Sequence, residues 1–342
     1  MPTYRKAGVD IAAADKAKRR MAETLRTEDP RILNQFGAFA TLVEGSFPGY
    51  EHPVLVLKME EPGSKQKLAI EHGRIPGITQ DLVHHLINDI AVMGATPLFV
   101  QDAVICGKLD PLVVEGIVEG LAAACKAQGC TLVGGETSEQ PGVVPNGTYI
   151  LTASVVGIVE KARIIDGSKI RVGDTVLAVS SNGLHTNGYS LVRKLIEEKP
   201  EILKEQVGGE SFLDVILKPH TCYYHALRDL FALPELHGMA HITGGGIGGN
   251  LNRILPKGTA AAIDLAKICM LPIFGLIKRY GGVPDADMLQ TYNLGIGLTL
   301  VIDSSGAEHI TAHLKQYGHT AYSIGEIVAG GGEVRFNGAL QW

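Results

Sequence analysis

No window of the sequence approaches the roughly 18 consecutive apolar residues that a membrane-spanning helix requires. A membrane partner is therefore not expected. Residues 1–20 contain Asp10, Asp15 and several Lys and Arg where a secretory signal would need an apolar centre. A soluble, cytoplasmic chain is expected. Cationic excess is also missing, since the net charge is −5, so no nucleic-acid partner is expected either. Cysteine is sparse: Cys106, Cys125, Cys130, Cys222 and Cys269 form an odd set with no pair separated by two residues. Zinc knuckles, thioredoxin-like pairs and a disulfide framework are unsupported, and buried free thiols are expected. Low-complexity tracts and short repeats are absent.

What is present is ordinary folded-protein composition over 342 residues, with 45% apolar residues, 20% charged residues and 42 glycines. That length suggests two domains, each able to bury a core. Residues 54–57 read as a buried strand. Residues 112–128 have helical periodicity, and 131–135 and 149–159 are β-rich apolar runs. Around residues 160–175 hydrophobicity drops and Gly, Asp, Lys and Arg collect, which marks a domain junction. Beyond it, residues 174–181 open a strand, 191–198 a helix, and 259–265 and 295–303 two more strands. Such alternation predicts a two-domain α/β (α+β) fold. Asn146-Gly147-Thr148 reads as a glycine turn.

Polar residues collect where these elements end. On the helix within residues 80–97, Asp81, His85 and Asn88 share one face, with His84 and Asp89 at its edges and Leu82, Leu86 and Ile90 opposite. A solvated face is one reading. The other is an oxygen-ligand site for Mg²⁺, suggested by the abrupt Gly94-Ala95-Thr96-Pro97 ending. GGETSEQPG (134–142) sets Gly134, Gly135, Glu136 and Glu139 after a strand, as either a plain turn or a site for metal-bound phosphates. SSNGLHTNGYS (180–190) places His185 and Asn187 past another strand, where α/β domains bind ligands. AHITGGGIGGN (240–250) repeats the pattern with His241, Gly244, Gly245 and Gly246. A lone histidine is more often structural, and one glycine loop is a weak signal. In residues 54–71, the turn Glu60-Glu61-Pro62-Gly63-Ser64-Lys65 precedes a helix beginning near Lys67. One glycine and two carboxylates leave phosphate cradle, metal site and plain loop all open.

Taken in order, AGVDI, FGAF, NDIAVMGATP, GKLD, GGETSEQPG, VEKARIIDGSKI, SSNGLHTNGYSLVRK, AHITGGG and YNLGIG resemble the phosphoribosylformylglycinamidine cyclo-ligase family over residues 4–326. Asp89, Gly94, Ala95 and Pro97 meet its pattern of Asp, four residues, then Gly-Ala-x-Pro. The resemblance implies an N-terminal ATP-binding and dimerisation domain (1–168), with strands closing a shared barrel across a homodimer. It implies a C-terminal α/β substrate domain (169–342). The implied activity is ATP-dependent cyclisation of formylglycinamidine ribonucleotide to aminoimidazole ribonucleotide, in purine biosynthesis. By the same analogy, Glu60, Gly63, Ser64, Lys65, Gly134, Gly135 and Glu136 hold ATP, and Glu60, Asp89 and Glu136 ligate Mg²⁺. Asn187 and Gly244, Gly245 and Gly246 hold ligand phosphate, while His185, His241 and Asp89 are the catalytic candidates. Lys65 is expected to reach a β- or γ-phosphate and Glu61 to face away from the nucleotide.

The sequence departs from the family pattern at three places. Residues 58–65 replace the family's Gly-Thr-Asp-Gly-Val-Gly-Thr-Lys, so that Lys58 stands for a glycine and Glu60 for the metal-binding Asp. Gly249-Asn250 stands where the family commonly has Glu-Asn, and Pro219-His220 where it has Pro-Thr. A small-molecule kinase of the same superfamily and a paralogue without turnover are the competing readings.

Overall fold

The computed structural model describes residues 23–34 and 39–342. Residues 1–20, the AGVDI stretch and all of FGAF except Phe39 lie outside the described residues. Two compact units divide the chain. The first takes residues up to Ile90 with Ala95–Ala162, and the second takes Ala91–Gly94 with Arg163–Trp342. The sequence reading ends its first domain at 168.

In the first unit, β1 (Pro53–Glu60) leads to α1 (Lys65–Glu71) and α2 (Ile75–Ala91), then β2 (Thr96–Cys106), α3 (Pro111–Ala127), β3 (Thr131–Glu139) and β4 (Tyr149–Glu160). The four strands form one mixed sheet in the order β1-β4-β2-β3. β4 pairs antiparallel with β1 and β2, whereas β3 joins β2 in parallel. A parallel neighbour requires a crossover, which α3 provides. That helix begins where the sequence directs it. Pro111 lacks an N–H to leave unsatisfied, and the Asp110 carboxylate accepts a hydrogen bond from the Leu112 N–H at 2.9 Å. Its Val114, Ile117, Leu121 and Cys125 recur at helical spacing and are fully buried. α2 buries Ile78, Leu82, Val83, Leu86 and Ile87 completely, and its Ile90 lies against Gly157 of β4.

Two sequence expectations change here. β1 is an edge strand rather than a buried one: Leu55, Leu57 and Met59 are 50%, 70% and 66% exposed, while Val54, Val56, Lys58 and Glu60 face the other way and are half-buried. Alternation along a strand separates the two sets. Gly134, Gly135 and Glu136 lie within β3, which runs on to Glu139, and do not form a turn after it. Hydrogen bonding to β2 overrides the turn preference of Gly and Ser.

The second unit is built on a six-stranded sheet of β5 (Thr175–Ser180), β8 (Leu236–His241), β9 (Gly258–Asp264), β10 (Ile296–Ile302), β11 (Ala321–Gly330) and β12 (Val334–Asn337). A small hairpin of β6 (Gln206–Val207) and β7 (Glu210–Ser211) stands apart. The order is β12-β9-β11-β5-β10-β8, antiparallel except between β12 and β9. Every residue of β10 is buried, as its run of Ile, Leu and Val demands. Truncating Leu298 or Leu300 to Ala would cost about 2–5 kcal/mol. Around the sheet, α4 (Tyr189–Glu198) follows β5, while α5 (Phe212–Ile216), α6 (Tyr224–Leu227) and α7 (Gly246–Leu251) flank the loops described below.

All five cysteines are free, but burial holds for only three: Cys106, Cys125 and Cys130 are buried, Cys222 is half-buried and Cys269 is exposed. Among the described residues, no helix is long and apolar enough to cross a membrane.

Candidate active site

The polar face of α2 is not solvated. Asp81 and Asn88 are fully buried and His85 nearly so. Asp81 receives the Lys65 ammonium at 2.8 Å, and both side chains are 0% exposed. Burial pulls the Lys65 ammonium below its ordinary pKa, and Asp81 opposes that pull. The expectation that Lys65 reaches a phosphate is therefore corrected. It lies in the first turn of α1 and points inward, tying that short helix to α2. Removing one partner of such a pair costs about 3–5 kcal/mol. Glu61 is exposed, and Gly63 and Ser64 are half-buried in the turn ahead of α1.

Glu60 and Asp89 are brought together, by Lys58. Its Nζ lies 2.8 Å from Glu60 and 3.1 Å from Asp89, with His85 Nε2 at 4.0 and 3.7 Å from the same two carboxylates. Partial burial disfavours the ammonium, but the two acids outweigh it and hold Lys58 above its ordinary pKa. Carboxylate oxygens suit Mg²⁺ in kind. Here both already serve an internal cation, so the pair does not offer an open metal site.

Glu136 does not join them. Pairing aligns Glu60, Ala153, Asp102 and Gly135 in one row across β1, β4, β2 and β3. Residues in one row share a face, so Glu136 projects from the opposite face. Three strand spacings, about 14 Å, also separate β3 from β1. One ion cannot bridge Glu60 and Glu136 within this sheet. The row contains an acid the sequence reading passed over, Asp102, on the face with Glu60. Burial pushes its carboxyl up to about 7. A Cβ on Gly135 would fall 2.3 Å from Asp102 Oδ1, which accounts for glycine there. The one available signal was a lone carboxylate inside the apolar strand LFVQDAV.

In the second unit, two loops are tied side by side. Asn182 donates to the Pro219 carbonyl at 2.8 Å, and Ser181 Oγ donates to the Gly183 carbonyl at 3.0 Å. His185 lies in the first loop in a left-handed conformation, φ 59°. A non-glycine residue held there carries local strain. His241 ends β8 and His185 follows β5; both are buried, and between them sits His220 of the second loop. His220 Nε2 is 3.0 Å from His241 Nε2, and its ring stacks on His185 with centroids 3.8 Å apart. The His220 departure thus lies beside both candidate histidines, His185 and His241, which no sequence spacing could reveal. Asn187 Oδ1 lies 3.2 Å from where a Cβ on Gly244 would be, so that residue and the glycine triplet are also adjacent. Asn250 holds the triplet in place, its Nδ2 donating to the carbonyls of Gly246 at 2.8 Å and Gly244 at 3.2 Å. Gly245 and Gly246 have φ of 96° and 61°, and a Cβ at Gly246 would collide with the Leu289 carbonyl. Backbone geometry alone requires glycine there.

Residues 53–159 match the family described as AIR synthase related protein, N-terminal domain, and residues 171–337 its C-terminal domain. A phosphoribosylformylglycinamidine cyclo-ligase of Nitrosococcus oceani is 40% identical over 98% of this chain and 95% of its own. Another, from Chromobacterium violaceum, is 42% identical over 95% and 94%. Among solved structures, thiamine-monophosphate kinase from Stenotrophomonas maltophilia has a TM-score of 0.63 at 18% identity, over 97% of this chain and 98% of its own. Hydrogenase maturation protein HypE in complex with ATP has a TM-score of 0.67 at 18% identity, over 93% and 88%. These two likenesses establish the fold alone. Identity at this level along nearly the whole chain, in both units, makes this protein a member of the phosphoribosylformylglycinamidine cyclo-ligase family.

Proposed function

We propose that the chain performs the ATP-dependent cyclisation of formylglycinamidine ribonucleotide to aminoimidazole ribonucleotide in purine biosynthesis, releasing ADP and phosphate. The observation that carries this reading is identity to cyclo-ligases across both units, 40% over 98% of the chain. The kinase reading has only fold likeness behind it, at 18% identity.

An amide oxygen is a poor leaving group until it carries phosphate. The γ-phosphoryl of ATP passes to that oxygen, the amidine nitrogen attacks the same carbon, and phosphate leaves as the ring closes. In this reading Gly63, Ser64, Gly134 and Gly135 belong to the nucleotide side, and Asp102, protonated to about 7, is a further acid on it, whereas Glu136, on the other face of the sheet, stands apart from it. His185, His241, Asn187 and Gly244 to Gly246 belong to the ribonucleotide side. A positioned imidazole donor on a developing oxyanion contributes about 3–4 kcal/mol. Lys58 already binds Glu60 and Asp89, so no step is routed through a metal ion held by that pair. Magnesium enters with the nucleotide.

The active species in this proposal is a homodimer. Among the described residues, β1 leaves an unpaired edge and an exposed row of Leu55, Leu57 and Met59, and proteins normally cover such an edge. Closing two open sheets into one shared barrel would cover it. The test of function is ADP release by the purified chain with and without formylglycinamidine ribonucleotide. Substrate-dependent ADP with stoichiometric aminoimidazole ribonucleotide is expected. ADP release indifferent to the ribonucleotide, or none at all, overturns the assignment.

A further inference from the structure

The second unit gathers three imidazoles from three separate elements: His185 after β5, His220 before α6 and His241 at the end of β8. They are 1%, 1% and 5% exposed. One ring nitrogen from each lies within 4.8 Å of the other two. The His220 and His241 rings are inclined at 54° with centroids 5.0 Å apart, and their Nε2 atoms approach to 3.0 Å.

An all-nitrogen donor set of this kind is wrong for Mg²⁺, which takes oxygen ligands, and right for a borderline transition cation. Zinc binds imidazole nitrogen at about 2.0–2.1 Å, so tetrahedral ligands lie about 3.3–3.4 Å apart. The His220–His241 pair would widen by a few tenths of an ångström, and His185 would turn one nitrogen inward. We propose that His185, His220 and His241 form a three-imidazole site for a zinc-class divalent cation. His220 makes this site particular to this chain, because the threonine that the resemblance sets at this position has no imidazole to offer.

The site lies wholly in the second unit and is read without ATP or ribonucleotide, so it stands or falls apart from the cyclo-ligase reading. Untagged full-length protein, stripped with chelator, is titrated with Co²⁺ and followed by visible spectroscopy and calorimetry. One equivalent per chain is expected, with the ligand-field absorption of tetrahedral Co²⁺, displaced by Zn²⁺ and indifferent to Mg²⁺. His220→Thr installs the residue of the family pattern and should lower Co²⁺ affinity by more than about 100-fold, with its far-ultraviolet circular dichroism unchanged. Absence of Co²⁺ and Zn²⁺ binding at micromolar concentration in the parent, or parent-like affinity in folded His220→Thr, overturns the proposal. A chain that binds Co²⁺ as described but releases no ADP would refute the proposed activity and leave this site intact.

Discussion

Lys58 is one residue that changes the chemistry of its surroundings, an ammonium placed between two carboxylates. If it stands where a metal cation would otherwise be drawn, Lys58→Ala leaves Glu60 and Asp89 facing each other and attracts a divalent ion. Mn²⁺ affinity measured by electron paramagnetic resonance without nucleotide should rise at least roughly tenfold. Unchanged affinity would mean that the carboxylates do not converge. Asp102 makes a second prediction at this scale. Its folded pKa of about 7 lies above the ordinary carboxyl value of 3.8, so between these pH values the folded chain keeps a proton that the unfolded chain has lost. Stability therefore falls as pH rises through that window, by at most about 4 kcal/mol and less for its residual exposure. Asp102→Asn should be more stable than the parent in urea at pH 8, with the advantage shrinking towards pH 5. Residue type and the family resemblance single out Asp89, His185 and His241 as candidates in the sequence. Asp102 and His220 acquire meaning only through neighbours distant in the chain, and Glu136 was placed with Glu60 because sequence does not show which face of β3 it takes.

Secondary structure was legible wherever a period was sustained. α2, α3 and, in the second unit, β5, β9 and β10 match their apolar patterns. The reading failed where pairing outweighed local preference, as when GGETS became strand. Sequence also could not tell which strand would lie at an edge. The apolar run of β1 suggests a buried strand, yet among the described residues the sheet order leaves one side unpaired and Leu55, Leu57 and Met59 outward. A charge in that row tests its role. Leu57→Glu should convert a dimer of the parent chain to monomer in sedimentation at micromolar concentration, with the fold retained because Leu57 is 70% exposed in the isolated chain. A parent that is itself monomeric would remove the reason for the exposed row.

At the scale of the molecule, two units with separate sheets divide the work of holding the chain together. They also divide its thiols. Cys106, Cys125 and Cys130, all in the first unit, are buried, whereas Cys222 and Cys269 of the second are half-buried and exposed. Sulfur chemistry is thereby partitioned in time. A thiol reagent meets Cys269 at once, and reaches the interior trio only when the first unit opens. The delay between the two reactions is an internal clock of that opening, readable from the mass each reacted thiol gains.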